Sequence, residues 1–305
     1  MENPLVSIVV LTYNSSKYVL ETLESAKVQT YQNIELIISD DCSTDNTVFI
    51  CQKWLEQNNS RFVRTEIIEV EKNTGIPANC NRGVKLSEGE WIKLIAGDDV
   101  LDCNIVKNYI SIVDESSDIN ILYSNVKFIT NEGLKNHNIN MLNLKFNKSE
   151  TSALEQFQIL LRSNPVWAAT LMFSKKIANE IQFDEKFRYF EDRPFLKKVT
   201  YSGYKIFYFD IVGALYRKHE FSIQTINNEK FLQNKHSIDR LNELNESIQF
   251  FDSRIERILL SARVWYTLFF YNHISNHRNT LNKFALYMPL FIVNKLLKCV
   301  EKKRK

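Results

Sequence analysis

The sequence predicts an α/β fold with a mainly parallel central sheet, followed by a helical C-terminal extension. Three observations carry this expectation. β-branched apolar runs alternate with segments of helical periodicity through the first 114 residues, polar and acidic clusters stand where those runs end, and helical spacing joined to a basic charge balance takes over after about residue 227. Strands alternating with helices bury a parallel sheet between two helical layers. Ligands of such sheets bind beyond the carboxyl ends of the strands, so the residues there are the site candidates.

The first run, Val6-Ser7-Ile8-Val9-Val10-Leu11, is short and β-branched and reads as a buried strand, and residues 17–28 then carry apolar positions at helical spacing. The unit repeats at 34–39 with 45–55, and again at 65–70 with 77–86, where Pro77 suits a first helical turn. A fourth strand, 90–95, ends at Gly97-Asp98-Asp99 and leads into helical spacing over 102–114. Beyond it, strands are expected at 121–129, 170–174 and 205–216, a helix at 193–202, and a mobile polar loop over 131–149. Helices are expected near 230–245, 250–273 and 279–300. The implied domains are residues 1–226 and a basic helical extension, 227–305.

A chain of 305 residues with 44% hydrophobic and 25% charged content has material for a sizeable core. Five cysteines, Cys42, Cys51, Cys80, Cys103 and Cys299, form no C-x-x-C pair or zinc-ligand spacing, which favours a reducing compartment and a cytoplasmic location. Residues 1–11 lack the basic start of a signal peptide. The nearest candidate for a membrane span, 284–293, is too short and is interrupted by Pro289. Residues 256–305 hold ten Lys or Arg against two acids, while the remainder is slightly acidic. That acidic balance excludes a nucleic-acid face on the main domain. A nicotinamide enzyme would need a Gly-rich turn after the first strand, where Thr12-Tyr13-Asn14-Ser15 stands instead.

Thr12-Tyr13-Asn14, Asp40-Asp41 and Asp98-Asp99 end three of the strands and should converge on one crevice. Adjacent carboxylates such as Asp98 and Asp99 repel, and a divalent metal, Mg²⁺ or Mn²⁺, offsets that charge while leaving room for phosphate oxygens. A solvated turn capping the next helix is the plainer alternative. An acid at Asp40 or Asp41 can accept hydrogen bonds from a base or ribose, whereas Ser43 and Asp45 are explained by helix capping. Glu191-Asp192 opens a helix, where the dipole alone favours acids; at a pocket rim the same carboxylate is a general base. His219 is a candidate metal or phosphate contact, and Trp167 a sugar platform or a packing residue.

In this order the clusters resemble the family 2 glycosyltransferases of the GT-A fold, a Rossmann-like nucleotide-diphosphosugar transferase architecture, over residues 4–225. The resemblance is carried by Val6-Ser7-Ile8-Val9-Val10-Leu11-Thr12-Tyr13-Asn14, by Ser39-Asp40-Asp41-Cys42-Ser43-Thr44-Asp45, by Asn73-Thr74-Gly75, Asn81-Arg82-Gly83 and Glu88-Gly89-Glu90-Trp91-Ile92, by Asp98-Asp99 at the D-x-D position, by Glu191-Asp192, and by His219 with Ser222. It implies donor contacts at Thr12, Tyr13, Asn14, Asp41, Asn81 and Asp98, with Asp41 on the base. It further implies metal ligation by Asp99 and His219, Asp192 as the base of an inverting displacement, and Glu191 and Trp167 on the acceptor side. Asn79-Cys80 stands where many relatives carry Ala-Arg, which shifts phosphate neutralisation onto the metal, His219 and Arg82.

The activity so implied is transfer from a nucleotide sugar, a UDP-sugar by preference, to a glycan or lipid-linked acceptor in surface polysaccharide synthesis. The tail interleaves Arg257, Arg263, Lys283, Lys295 and Lys298 with Trp265, Phe269, Phe270 and Phe291, which suits an anionic membrane surface and equally a helical cap with solvated charges. A catalytically silent nucleotide- or glycan-binding relative is the alternative function.

Overall fold

The computed structural model describes residues 3–130, 133–136, 141–218, 235–273 and 280–302. Its first part runs β1 (Val6–Thr12), α1 (Val19–Lys27), β2 (Ile34–Asp40), α2 (Thr47–Asn58), β3 (Arg64–Ile68), α3 (Ile76–Leu86), β4 (Trp91–Ala96), β5 (Val100–Leu101) and α4 (Ile105–Asp114). It continues with β6 (Ile121–Thr130), β7 (Gly133–Asn136), α5 (Ala153–Leu160), β8 (Met172–Ser174), α6 (Lys175–Glu180), α7 (Asp192–Tyr201) and β9 (Phe207–Arg217). Sheet order is β3-β2-β1-β4-β8-β6-β9-β5, and β7 pairs with β6 off this path. The half from β3 to β4 is parallel, as expected. Beyond β4 the sheet is mixed, because β8 runs antiparallel to both β4 and β6 while β9 is parallel to β6.

Both faces are covered, and β1 shows how. Ile8 and Val10 enter a core shared with Leu23 of α1, Trp54 of α2 and Tyr109 of α4, whereas Val9 faces Cys80 and Val84 of α3 and Phe195 and Leu196 of α7. Successive strand residues point to opposite faces, so a run with no polar alternation is what two covered faces require. Gly83 lets α3 lie against β1: a methyl there would overlap the Val9 side chain.

At the amino ends of the strands, away from the carboxyl edge, Glu35 is fully buried and holds the sheet together. It accepts from the Ser7 hydroxyl, from the Glu88 and Gly89 backbone N–H groups and from Arg64 at 2.9 Å. Burial pushes this carboxyl up, but the hydrogen bonds from Ser7, Glu88, Arg64 and Gly89 outweigh it and hold the pKa below the ordinary value. A depressed carboxyl pKa gives stability that is present above the unfolded value near 4.3 and is lost as pH falls through the folded value. Glu35→Ala is expected to lower unfolding free energy by about 3–5 kcal/mol at pH 7. Denaturant melts should show the gap from wild type narrowing below about pH 4.

Two expectations change. The segment 131–149 is not, in its described part, a mobile loop: Met141 and Phe146 are 3% and 1% exposed, and β7 pairs with β6. Apolar anchors and a hydrogen bond from Gln156 to the Phe146 carbonyl outweigh the polar composition. Pro289 does not interrupt its helix, which runs through it.

A second compact unit comprises Phe187–Phe190 and the described residues from 235 onward. Its helices are α8 (Lys235–Ser247), α9 (Arg254–His273) and α10 (Thr280–Lys302), the last containing Pro289. Within it Asp239 accepts the Tyr189 N–H at 2.6 Å, and the Tyr266 hydroxyl of α9 donates to Ala285 of α10 at 2.7 Å. Trp265, Phe269, Met288, Phe291 and Ile292 are exposed. Among the described residues no helix is long and apolar enough to cross a membrane.

Candidate active site

The carboxyl edge of the parallel half is built as a set of mutually bonded turns. Thr12, 1% exposed, donates from its hydroxyl to Asp40 at 2.7 Å, and Asp40 also accepts from the Ser43 N–H and hydroxyl. Asn14, at φ 50°, accepts the Thr44 N–H on its side-chain oxygen and donates its own N–H to Ser43. Thr12 and Asn14, expected as donor contacts, therefore brace the β1–α1 loop against the β2–α2 loop. Tyr13, between them, is 50% exposed and stands open.

Asp41 is 3% exposed and accepts from the Thr74 N–H and hydroxyl, the Gly75 N–H and Arg82 at 2.8 Å. Burial raises its pKa, but these donors prevail and hold it low. The carboxylate expected to read a base thus fastens the β3–α3 loop, and Gly75, at φ 99°, supplies the backbone that only glycine adopts freely there. Asn81 donates to the Phe183 carbonyl and to Glu185 and accepts the Phe183 N–H, which makes it a brace for residues 183–185 and not an open donor contact.

Asp98 and Asp99 follow β4 where a side chain at Gly97 would press on Thr12 and Ser15. Asp98 is half-buried and Asp99 is 3% exposed. Arg217, at the end of β9, locks the pair: its N–H donates to the Asp99 carboxylate at 2.8 Å, its Nε to the Asp98 carbonyl at 2.8 Å, and its guanidinium reaches Glu21 at 2.6 Å and covers Tyr18. Burial, and then the charge of Asp98, pushes the Asp99 carboxyl well above the carboxylate range. Two acids so placed fit a hard divalent ion, which relieves that repulsion and completes its shell with phosphate oxygens and water. Among the described residues no three His, Cys, Asp or Glu side chains cluster as a ligand set, and His219 and Ser222 lie outside the described residues.

Behind this pair Lys93 of β4 is fully buried, donating to the Leu94 and Ala169 carbonyls at 2.7 Å. Burial pulls its pKa down to about 7 against the opposing charge of Asp99. A lysine pKa below its unfolded value of about 10.4 means the unfolded chain binds more protons between those values, so stability rises with pH across that window. Lys93→Met is expected to raise stability at pH 7 by about 1–3 kcal/mol and to flatten that rise, measured by urea melts from pH 7 to 10.

Asp192 begins α7. Its two oxygens accept the Arg193 N–H and the Asn164 side-chain amide, each at 2.7 Å. Burial first, and the charge of Asp192 second, push the carboxyl of its neighbour Glu191 above the ordinary carboxylate value. Tyr216 of β9 is buried, which raises its pKa, and the charges of Asp99, Asp98, Glu191 and Asp192 raise it further. Its ring packs on Trp167 and Phe128, with centroids 6.1 Å away in both cases. Trp167 is thus packed into an aromatic group beside the acids. Asn164, Tyr216 and Arg217 are the residues that sequence reasoning misses; each lies inside a stretch singled out for another residue, Trp167 or His219.

A sheet whose parallel half ends in a polar crevice, with one acidic pair after its fourth strand and a second at a later helix start, defines the GT-A class of sugar-nucleotide transferases. The chain belongs to glycosyltransferase family 2: the family model described as "Glycosyl transferase family 2" matches residues 7–182. It is 28% identical over 205 residues to the poly(ribitol-phosphate) beta-N-acetylglucosaminyltransferase TarS of Staphylococcus aureus, covering 66% of this chain and 33% of TarS. The chain spans about a third of the length of the first curated relatives it matches. It is 26% identical over 249 residues to the UDP-Glc:alpha-D-GlcNAc-diphosphoundecaprenol beta-1,3-glucosyltransferase WfgD of Escherichia coli, covering 81% of this chain and 89% of WfgD. The crystal structure of TarS residues 1–349 with UDP-GlcNAc aligns over 92% of this chain and 75% of that one, with a TM-score of 0.63 and 22% identity. The Pyrobaculum calidifontis mannosyltransferase PcManGT in complex with GDP-Man and Mn²⁺ aligns at 0.56 and 13%, over 98% of this chain and 84% of that one. These likenesses establish the GT-A fold and support a glycosyl-transfer role.

Proposed function

We propose that this protein is an inverting glycosyltransferase that moves a sugar from a UDP-sugar to a hydroxyl of a glycan or lipid-linked acceptor, in surface polysaccharide synthesis at the cytoplasmic side of a membrane. The observation that carries the proposal is the two acidic pairs themselves, Asp98-Asp99 after β4 and tied to Arg217, and Glu191-Asp192 at the start of α7, one suited to a diphosphate and its ion, the other to a proton. UDP is favoured as the carrier because it is bound by TarS and named in the donor of WfgD.

The nucleoside lies on Tyr13, in a cleft walled by the loop that Asp41, Thr74 and Arg82 hold in place. Asp98 and Asp99 are the residues that would hold Mn²⁺ or Mg²⁺, His219 being the further ligand the family resemblance implies, and the ion supplies charge stabilisation for the leaving diphosphate. Asp192 accepts the proton of the acceptor hydroxyl while that oxygen bonds to the anomeric carbon. The carbon–oxygen bond to the diphosphate breaks, its electron pair leaves with the nucleoside diphosphate, and configuration inverts. Glu191, with Trp167, stands on the acceptor side.

Calorimetric titration of the full chain with UDP and GDP, with Mn²⁺ and with chelator, tests the donor site. Ion-dependent binding of UDP is the expected result. Preference for GDP would overturn the carrier, and binding of neither would leave the catalytically silent relative as the better reading.

The exposed Trp265, Phe269, Met288, Phe291 and Ile292, with the tail's basic balance, support docking of α9 and α10 on anionic lipid. Co-sedimentation should be strong with phosphatidylglycerol vesicles, weak with phosphatidylcholine, and reduced in Trp265→Ala with Phe291→Ala. Equal partitioning to both lipids would remove the membrane role.

A further inference from the structure

We propose that Asn164 is the positioning residue of the proton acceptor, an inference that rests on Asp192 serving as the base: its amide orients the Asp192 carboxylate and keeps it ionised. Asn164 follows α5, 28 residues before Asp192, and its Nδ2 donates to Asp192 Oδ2 at 2.7 Å. Its orientation is not arbitrary. The Val166 N–H donates to Asn164 Oδ1 at 3.1 Å, and an N–H can only meet the oxygen of the amide, so the NH₂ group must face the carboxylate. Both partners stand on a rigid base. α5 packs on α7 through Phe157 and Tyr201, with ring centroids 5.1 Å apart, and Gln156 of α5 exchanges two hydrogen bonds with Ile206 after α7.

The hydrogen bond acts against unfavourable neighbours. Glu191 precedes Asp192 on the same helix start, Cys80 of α3 and Tyr216 of β9 both feel the charge of the pair, and burial lowers the pKa of Arg193, the next residue, against the charge of Asp192, which raises it. An amide donor from outside α7 holds Oδ2 in one direction and favours the charged form, which is the form that accepts a proton. The Arg193 N–H occupies Oδ1, so the carboxylate is gripped at both oxygens and does not rotate away from an incoming hydroxyl.

Two substitutions separate this role from a merely structural one. Asn164→Asp keeps an acceptor for the Val166 N–H, and hence the turn, but removes the amide donor and places a second carboxyl against Asp192. Asn164→Ala removes both. With carboxyl-¹³C aspartate in the full chain, the Asp192 resonance is identified by its absence in Asp192→Asn. Its titration midpoint is expected to move up by roughly one to two pH units in Asn164→Ala, and in Asn164→Asp the two carboxyls should share a proton and titrate in two steps. With a donor identified by titration, the acid limb of the kcat/KM profile should move up by the same roughly one to two pH units in Asn164→Ala and change shape in Asn164→Asp, while UDP affinity holds.

An unmoved Asp192 midpoint, or an Asn164→Asp protein with the wild-type pH profile, would overturn the proposal and leave Asn164 a turn residue. A fully active Asp192→Asn protein would instead remove the base assignment on which it rests, a result distinct from either.

Discussion

Asp192→Asn is expected to cut sugar transfer by about 10²–10⁴-fold while leaving UDP affinity within a factor of about two. An amide cannot accept the acceptor's proton at neutral pH, yet it keeps the size of the side chain and an oxygen for the Arg193 N–H. The nucleoside cleft is placed at Tyr13 and Thr74, on loops other than the start of α7, so donor binding should be spared. Single-turnover transfer from the donor, with calorimetry of UDP in parallel, reads both quantities. Retained transfer would remove the base from this position. Joint loss of binding would show that the two acidic pairs cannot be separated as ion holder and base.

Asp99→Asn is the second large effect. The substitution preserves an acceptor for the Arg217 N–H, so the end of β9 should stay docked on β4. What it removes is a carboxyl that can give up its proton to hold a divalent ion beside Asp98, and with it at least about tenfold in the UDP affinity gained on adding Mn²⁺. The Asp99 carboxyl is raised above its unfolded pKa, so it favours folding where it is protonated and disfavours it once pH climbs through the unfolded value. Asp99→Asn in chelator should therefore melt no lower than wild type at pH 7, while its response to Mn²⁺ is lost. A full Mn²⁺ response in this variant would assign the ion elsewhere.

How much of this was legible beforehand depends on the distance over which each feature is determined. The strands β1, β2 and β4 announce themselves because two covered faces demand unbroken apolar runs, and Asp98-Asp99 and Glu191-Asp192 stand out because neighbouring charges are a local signal. α5 carries a local signal too, the capping box of Ser152 and Glu155 just after the polar stretch 131–149. The fate of Asp41 had no such signal. Its type and place at a strand end suit a base contact, but the carboxylate closes on Thr74, Gly75 and Arg82, 33 to 41 positions away. Thr12, Asn14 and Asn81 likewise stand at the expected edge and brace neighbouring loops.

By itself the sequence determined the class: an α/β sheet with helices on both faces, two acidic pairs in a fixed order at its edge, and a basic helical extension. Tertiary structure decided which polar groups face each other. It gave Asp192 the amide of Asn164, tied Asp99 to a backbone N–H 118 residues away, buried Lys93 behind the acids and packed Tyr216 on Trp167 and Phe128. The division has a physical cause, since hydrophobic periodicity and adjacent charge are properties of a few consecutive residues, whereas a hydrogen bond exists only once folding has fixed donor and acceptor within about 3 Å of each other.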